Sequence, residues 1–171
     1  MPHKKTCLAA CLLAGLLLLA ACGSKPAAAV DACSLLTPTD AQGIMGGAVD
    51  AAQHPVSGSA TFAVSSCAYQ LSGGTPLENV TLIVSVSSNG QAATAQSAFT
   101  AGKAGTQAAW GSAPVDVPGL GDQAYWVAGS GNLLTILKGD AYLTLSASTQ
   151  TGDAPTQALL DLAQVVIGRL P

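Results

Sequence analysis

His54, the aspartates at 116, 122 and 140, the cysteines at 33 and 67, and the run Gly119-Leu120-Gly121-Asp122-Gln123-Ala124 are where this sequence could do chemistry. A Ser-His-Asp hydrolase would have to use His54, yet no G-x-S-x-G elbow accompanies it, and beside Pro55 it reads as a surface loop residue. Asp116, Asp122 and Asp140 all neighbour turns, where a short carboxylate is favoured for local hydrogen bonding, so a turn role is expected ahead of calcium ligation. The glycine run matches a dinucleotide fingerprint by letters. That chemistry needs a strand before it and a helix after it, whereas Pro118 precedes it and strand-like Tyr125-Trp126-Val127 follows. A redox or metal-binding cysteine pair needs C-x-x-C spacing or nearby histidine ligands, and neither is visible along the chain. Asn79-Val80-Thr81 spells a glycosylation sequon but sits on an expected strand. Neither a catalytic residue, a metal site nor a cofactor is expected.

Tyr125 and Trp126 are the candidate ligand surface. Adjacent residues of a strand face opposite ways, so one of them can pack in the core while the other meets a cleft or the rim.

The amino-terminal residues carry a different chemistry. His3, Lys4 and Lys5 precede the uncharged, Leu- and Ala-dominated run from Thr6 to Ala21, the layout of a secretory signal. The run is shorter than the roughly 20 apolar residues of a spanning helix and is followed by Gly23, Ser24 and Pro26 with no basic stop-transfer cluster. Leu19-Ala20-Ala21-Cys22 resembles the bacterial lipobox, whose cysteine becomes the acylated N-terminus. The same four letters at Leu8-Ala9-Ala10-Cys11 leave an apolar core below the roughly 7 residues a signal requires, so Cys22 is the expected acceptor. Two or three acyl chains anchor stably where one does not. Residues 1–21 are thus expected as a signal peptide, 22–30 as a flexible tether and 31–171 as the folded domain. The expected location is the extracytoplasmic face of an envelope membrane: the outer membrane in a Gram-negative cell, since Gly23 is not an inner-membrane retention Asp, and the outer face of the plasma membrane otherwise.

Charge narrows the partners. Nine acidic residues face six basic ones, and Lys4 and Lys5 leave with the signal, so the remaining cations form no phosphate-tracking patch and nucleic acid is not an expected partner. Of five cysteines, Cys7 and Cys11 are discarded and Cys22 is acylated, which leaves Cys33 and Cys67. In an oxidising compartment these two are expected to form a disulfide.

The elements that must position these groups follow from periodicity and turn chemistry. Thr37-Pro38-Thr39-Asp40 carries an N-cap, a proline for the first turn and a capping-box acid, and Gly46-Gly47 ends that helix. Val49 to His54 gives a weak strand signal. Phe62 to Leu71 and Val80 to Val86 alternate around Ser72-Gly73-Gly74-Thr75-Pro76, predicting a long-looped hairpin. Gln91 to Ala104 predicts a helix ending at Gly105, followed by a loop through Trp110. Strands are expected at Gln123 to Ala128, Leu133 to Lys138 and Ala141 to Ala147, the last two joined at Gly139-Asp140. Asp153 and Pro155 predict the start of a final helix with its stripe at Leu159, Leu162, Ala163, Val166, Ile167 and Leu170. The order implies a single α+β domain, an antiparallel sheet with helices packed mainly on one face and one disulfide.

Asp31-Ala32-Cys33-Ser34-Leu35-Leu36-Thr37, Cys67-Ala68-Tyr69, Val117-Pro118-Gly119-Leu120-Gly121-Asp122-Gln123-Ala124-Tyr125-Trp126 and Lys138-Gly139-Asp140 resemble, in order and spacing, a group of small bacterial lipoproteins of unknown function common in actinobacteria. Some of these look like extracytoplasmic sensor domains of receptor kinases. The resemblance implies a disulfide-stapled α+β domain on a lipid anchor and supplies no catalytic residues. The functional expectation is a non-enzymatic binding or accessory module, taking another envelope protein or a small apolar ligand; the alternative is an envelope hydrolase of unknown substrate.

Overall fold

The computed structural model describes residues 29–129, 132–149 and 155–171. The signal segment and Cys22 lie outside them, as does Asp153.

The domain opens with two short helices, α1 (Ala32–Leu35) and α2 (Pro38–Met45). A four-residue helix cannot hold itself together in water, because nucleation fixes several residues for one hydrogen bond. External anchors hold α1 instead: the Asp31 carboxylate accepts the Cys33 N–H at 2.8 Å, the Ala32 N–H donates to Ser65 Oγ at 3.1 Å, and a disulfide joins Cys33 to Cys67. In α2 the expected capping box forms: Thr37 accepts the Asp40 N–H, and the Asp40 carboxylate accepts the Thr37 N–H at 2.9 Å. Gly46 ends the helix in the left-handed region at φ 72°.

Seven antiparallel strands follow: β1 (Val56–Gly58), β2 (Phe62–Gln70), β3 (Asn79–Ser87), β4 (Val115–Asp116), β5 (Gln123–Val127), β6 (Leu133–Lys138) and β7 (Ala141–Ala147). Their spatial order is β1-β2-β3-β7-β6-β5-β4. The expected hairpin and meander therefore meet at the β3/β7 pair in the middle of one sheet. One register row runs Cys67, Leu82, Leu145, Leu134 and Trp126 across five strands, and every one of these side chains is fully buried. At about 1.5 to 3 kcal/mol for burying one such apolar side chain, this row and its neighbours dominate the stability of the domain.

That face is covered by α1, α2 and the carboxy-terminal helix α4 (Gln157–Gly168), whose Leu159, Leu162, Ala163 and Val166 are buried as the stripe requires. The remaining helix, α3 (Ala92–Trp110), lies on the opposite face against Tyr125, Val127 and Leu137. Helices are thus concentrated on one side, but not confined to it. The connection explains the exception. The chain leaves the sheet centre at β3 and must reach the edge strand β4, and α3 makes that crossing over the uncovered face.

Three local expectations are corrected. The helix α3 does not stop at Gly105 but continues to Trp110, with Gly111 as its left-handed cap at φ 73°. One interior glycine costs a helix only about 1 kcal/mol, which good formers on either side offset. Val49 to His54 forms two isolated bridges, Val49 with Leu71 and Gln53 with Ala68, and the third strand of that edge is β1. Helix α4 is capped by Thr156, which accepts the Leu159 N–H, with Pro155 ahead of the cap.

Arg169, just past α4, reaches back to Asp40 and to the Leu35 carbonyl, tying the two ends of the domain together. Burial pushes the Asp40 carboxyl up, but hydrogen bonds from Arg169 and Thr37 outweigh it and hold the group below the ordinary carboxylate range. A depressed folded-state pKa contributes stability that is full above the unfolded value of about 3.9 and is lost as pH falls through the folded one. Thermal unfolding followed from neutral pH to pH 2 should show that acid limb. Asp40→Asn removes the charge that Arg169 pairs with, so it should flatten that limb and cost about 1 kcal/mol at neutral pH, the upper end for a partly exposed ion pair; an unchanged acid limb would refute the assignment.

Candidate functional site: a cavity beneath the crossing helix

The face opposite the main core presents two register rows under α3. One runs Thr144, Thr135 and Tyr125; its neighbour runs Leu133 and Val127. On α3, Phe99 is the large anchor, packing its ring on Tyr125 with centroids 5.0 Å apart. The next positions on that helical face are Gly102, Gly105, Thr106 and Ala109, too short to reach the sheet. The result is a cavity of about 350 Å³, open to solvent, between these small residues and the Tyr125, Val127, Leu133, Thr135 and Thr144 floor.

Gly102 has a specific part in this. A Cβ there would stand 3.4 Å from the Tyr125 hydroxyl, so the glycine lets the tyrosine run under the helix. Thr106 is spoken for, its hydroxyl donating to the Gly102 carbonyl at 2.8 Å. The Tyr125 and Thr135 side chains, both more than nine-tenths buried, line the cavity with hydroxyl groups and no charge. The helix is tied to the strands by Gln123 donating to Gln96 at 3.1 Å and by the Lys103–Asp116 ion pair.

Of the two aromatics read from sequence, then, Tyr125 lines the cavity and Trp126 is sealed in the main core. The indole N–H of Trp126 is buried without a hydrogen-bond partner among the described residues. Gly102, Gly105, Thr106, Thr135 and Thr144 were not anticipated. The available signal was a run of small residues on the same helical face as Phe99, hidden because Gly105 reads as a helix end.

The other candidates are dispersed. Asp116 pairs with Lys103, while Asp122 accepts the Gly139 N–H at 2.7 Å and Lys138 at 3.1 Å. The Gly139 N–H and then Lys138 hold the Asp122 carboxyl below its ordinary range. These aspartates make no common cation site among the described residues. The glycine run is a turn feeding β5, with Gly119 at φ 79° after Pro118, and no helix follows to meet a pyrophosphate. A larger depression of about 520 Å³ lies between the β6–β7 turn and the end of α4, but its polar lining includes the Asp122 and Lys138 groups already paired.

His54 is not isolated. Its Nε2 lies 2.8 Å from Asp31 Oδ1 and 3.4 Å from Ser65 Oγ. A Ser-His-Asp relay needs serine and carboxylate on opposite ring nitrogens, because one nitrogen takes the serine proton while the carboxylate orients the other. Here both partners meet the same nitrogen, and Ser65 is itself buried against the Ala32 N–H. No helix among the described residues is long and apolar enough to cross a membrane. No protein-family model, curated protein or solved structure matches the chain.

Proposed function

We propose that the protein is a lipid-anchored, extracytoplasmic binding module, without enzymatic activity, whose cavity beneath α3 takes one small, neutral, largely apolar molecule. The observation that carries this reading is the cavity of about 350 Å³ under α3, lined by apolar groups and hydroxyls with no charged side chain. Its volume is at the lower end of the range for small-molecule sites. A charged ligand would bury its charge without compensation, whereas one oxygen on an apolar body finds the Tyr125 and Thr135 hydroxyls. The signal layout and the Cys22 motif support the anchor, and the same pattern in small bacterial lipoproteins supports the compartment. Against a hydrolase stands the crowding of Asp31 and Ser65 onto one nitrogen of His54.

The binding half is tested with the neutral fluorescent probe N-phenyl-1-naphthylamine. Saturable one-to-one enhancement is expected with the native chain. Gly105→Leu should abolish it, because Gly105 lines the cavity and a Cβ there meets nothing within 4 Å, which leaves a leucine free to fill the space. Replacing a helical glycine should also raise stability by about 0.5 to 1 kcal/mol, so binding and melting temperature move in opposite directions. Equal probe binding by both proteins would place the ligand elsewhere. The anchoring half is tested by Cys22→Ser, which should shift the protein from the membrane to the soluble fraction; retention in the membrane fraction would refute lipid attachment.

A further inference from the structure

The residues around the disulfide are metal-ligand types brought together from three parts of the chain. Asp31 caps α1, Cys33 lies within it, and His54 follows the Gln53–Ala68 bridge that lays its loop beside β2. One ligand atom from each, Asp31 oxygen, Cys33 Sγ and His54 Nε2, lie within 4.8 Å of one another. Cys67 is joined to Cys33 by the disulfide, with its Cα 5.0 Å away. In the disulfide neither sulfur is a thiolate, so only a carboxylate and an imidazole are available, half of what a tetrahedral ion requires.

We propose that opening the Cys33–Cys67 disulfide converts this cluster into a Zn(II) site with two thiolates, the His54 imidazole and the Asp31 carboxylate as ligands. The reductant is a dithiol of the thiol–disulfide oxidoreductase class. Its thiolate attacks Cys33, the more accessible sulfur, and Cys67 leaves as thiolate; the second thiol then resolves the mixed disulfide. Two electrons and two protons pass to the protein, and the dithiol becomes a disulfide. Zn(II) binding then displaces the two thiol protons.

Three of the four ligand atoms are already gathered, and the movement falls on Cys67 Sγ, which lies outside that 4.8 Å group and must turn toward it once the S–S bond is open. A tetrahedral ion with Zn–S bonds of about 2.3 Å holds its sulfurs roughly 3.7 Å apart, close to where two unbonded sulfurs on these backbones settle. His54 and Asp31, 2.8 Å apart, must open by about half an ångström to admit an ion between them. The fold has reason to survive reduction, since Ala32, Leu35 and Leu36 remain buried and the Ala32 N–H keeps its bond to Ser65. Two sulfurs and one nitrogen select Zn(II) over the oxygen-seeking Ca(II) and Mg(II). The site is separate from the cavity under α3, and its failure would leave the proposed binding function untouched.

The test uses the full chain with Cys7→Ser, Cys11→Ser and Cys22→Ser, so that Cys33 and Cys67 are its only thiols. Co(II) serves as the spectroscopic probe. The reduced protein should bind one equivalent, with a thiolate-to-cobalt charge-transfer band and the ligand-field bands of a tetrahedral site, both bleached by Zn(II). The oxidised protein should show neither. His54→Ala and Asp31→Ala should each weaken Zn(II) binding by about tenfold or more in competition with a chelator. Absence of the bands in the reduced protein, or a Zn(II) affinity that neither variant lowers, overturns the site. If the metal-free reduced chain unfolds, Zn(II) must restore a cooperative thermal transition, because binding energy is then folding energy; failure to do so also overturns it.

Discussion

Replacing Cys33 and Cys67 together by alanine is expected to destabilise the domain by about 3 to 4 kcal/mol, the chain-entropy cost of releasing a closed loop of this size. The sequence separation is 34 residues. The structure adds where the loss falls. Helix α1 has four residues and no cooperativity of its own, so the bridge, the Ala32 to Ser65 hydrogen bond and burial of Leu35 and Leu36 are what hold it to β2. Removing the bridge should lower the melting temperature by about 10 °C for a domain of this size. Amide exchange should quicken first in residues 31–36, before the central strands. A variant that melts with the native protein, or loses protection uniformly, would show that the bridge does not carry α1.

The second large effect is expected at Gly121. Its φ of 61° lies in the left-handed region, and a Cβ built there would stand 2.5 Å from the Leu137 carbonyl oxygen and 2.7 Å from Ile136 Cγ2. The turn is pressed onto β6 because the Asp122 N–H donates to that same Leu137 carbonyl at 2.8 Å, while the Asp122 carboxylate holds the Gly139 N–H. Gly121→Ala must therefore bear both the left-handed strain, about 1 to 2 kcal/mol, and a displacement of backbone, about 1 to 3 kcal/mol. A loss of about 2 to 5 kcal/mol in urea unfolding is expected. Gly119→Ala is the control: its φ is 79° but nothing lies within 4 Å of the added carbon, so only the strain of about 1 to 2 kcal/mol applies. Equal losses at the two positions would remove the steric argument and leave backbone conformation alone.

These two sites also show how far the chain could be read without coordinates. The Cys33–Cys67 pairing follows from arithmetic, because setting aside the cysteines of the expected signal and the expected acyl acceptor leaves two thiols. Asp122 was legible as a turn residue, but its partners were not. They lie 16 and 17 residues away on the next hairpin, and only the β5–β6 register brings them to it. His54 is the sharper case. Along the chain its one nearby ligand-type residue is Asp50, which is not in the cluster; the Gln53–Ala68 bridge instead sets it beside the residues around Cys67, and the disulfide brings Cys33 and Asp31 to the same place.

What the sequence by itself determined was local: the capping box of α2, the edges of β6 and β7 at Leu133, Lys138, Ala141 and Ala147, the apolar stripe of α4 and the α+β class. Each rests on hydrogen bonding or periodicity within a few residues, where chain neighbours are also spatial neighbours. Tertiary structure alone decided that β3 pairs with β7, that α3 crosses the second face, and that Tyr125 and Trp126 part company, one to a cavity and one to the core. The physical reason is that alternation assigns a side chain to a face, but what covers that face depends on strand order. Strand order is set by burial summed over the whole sheet, which no short window of sequence contains.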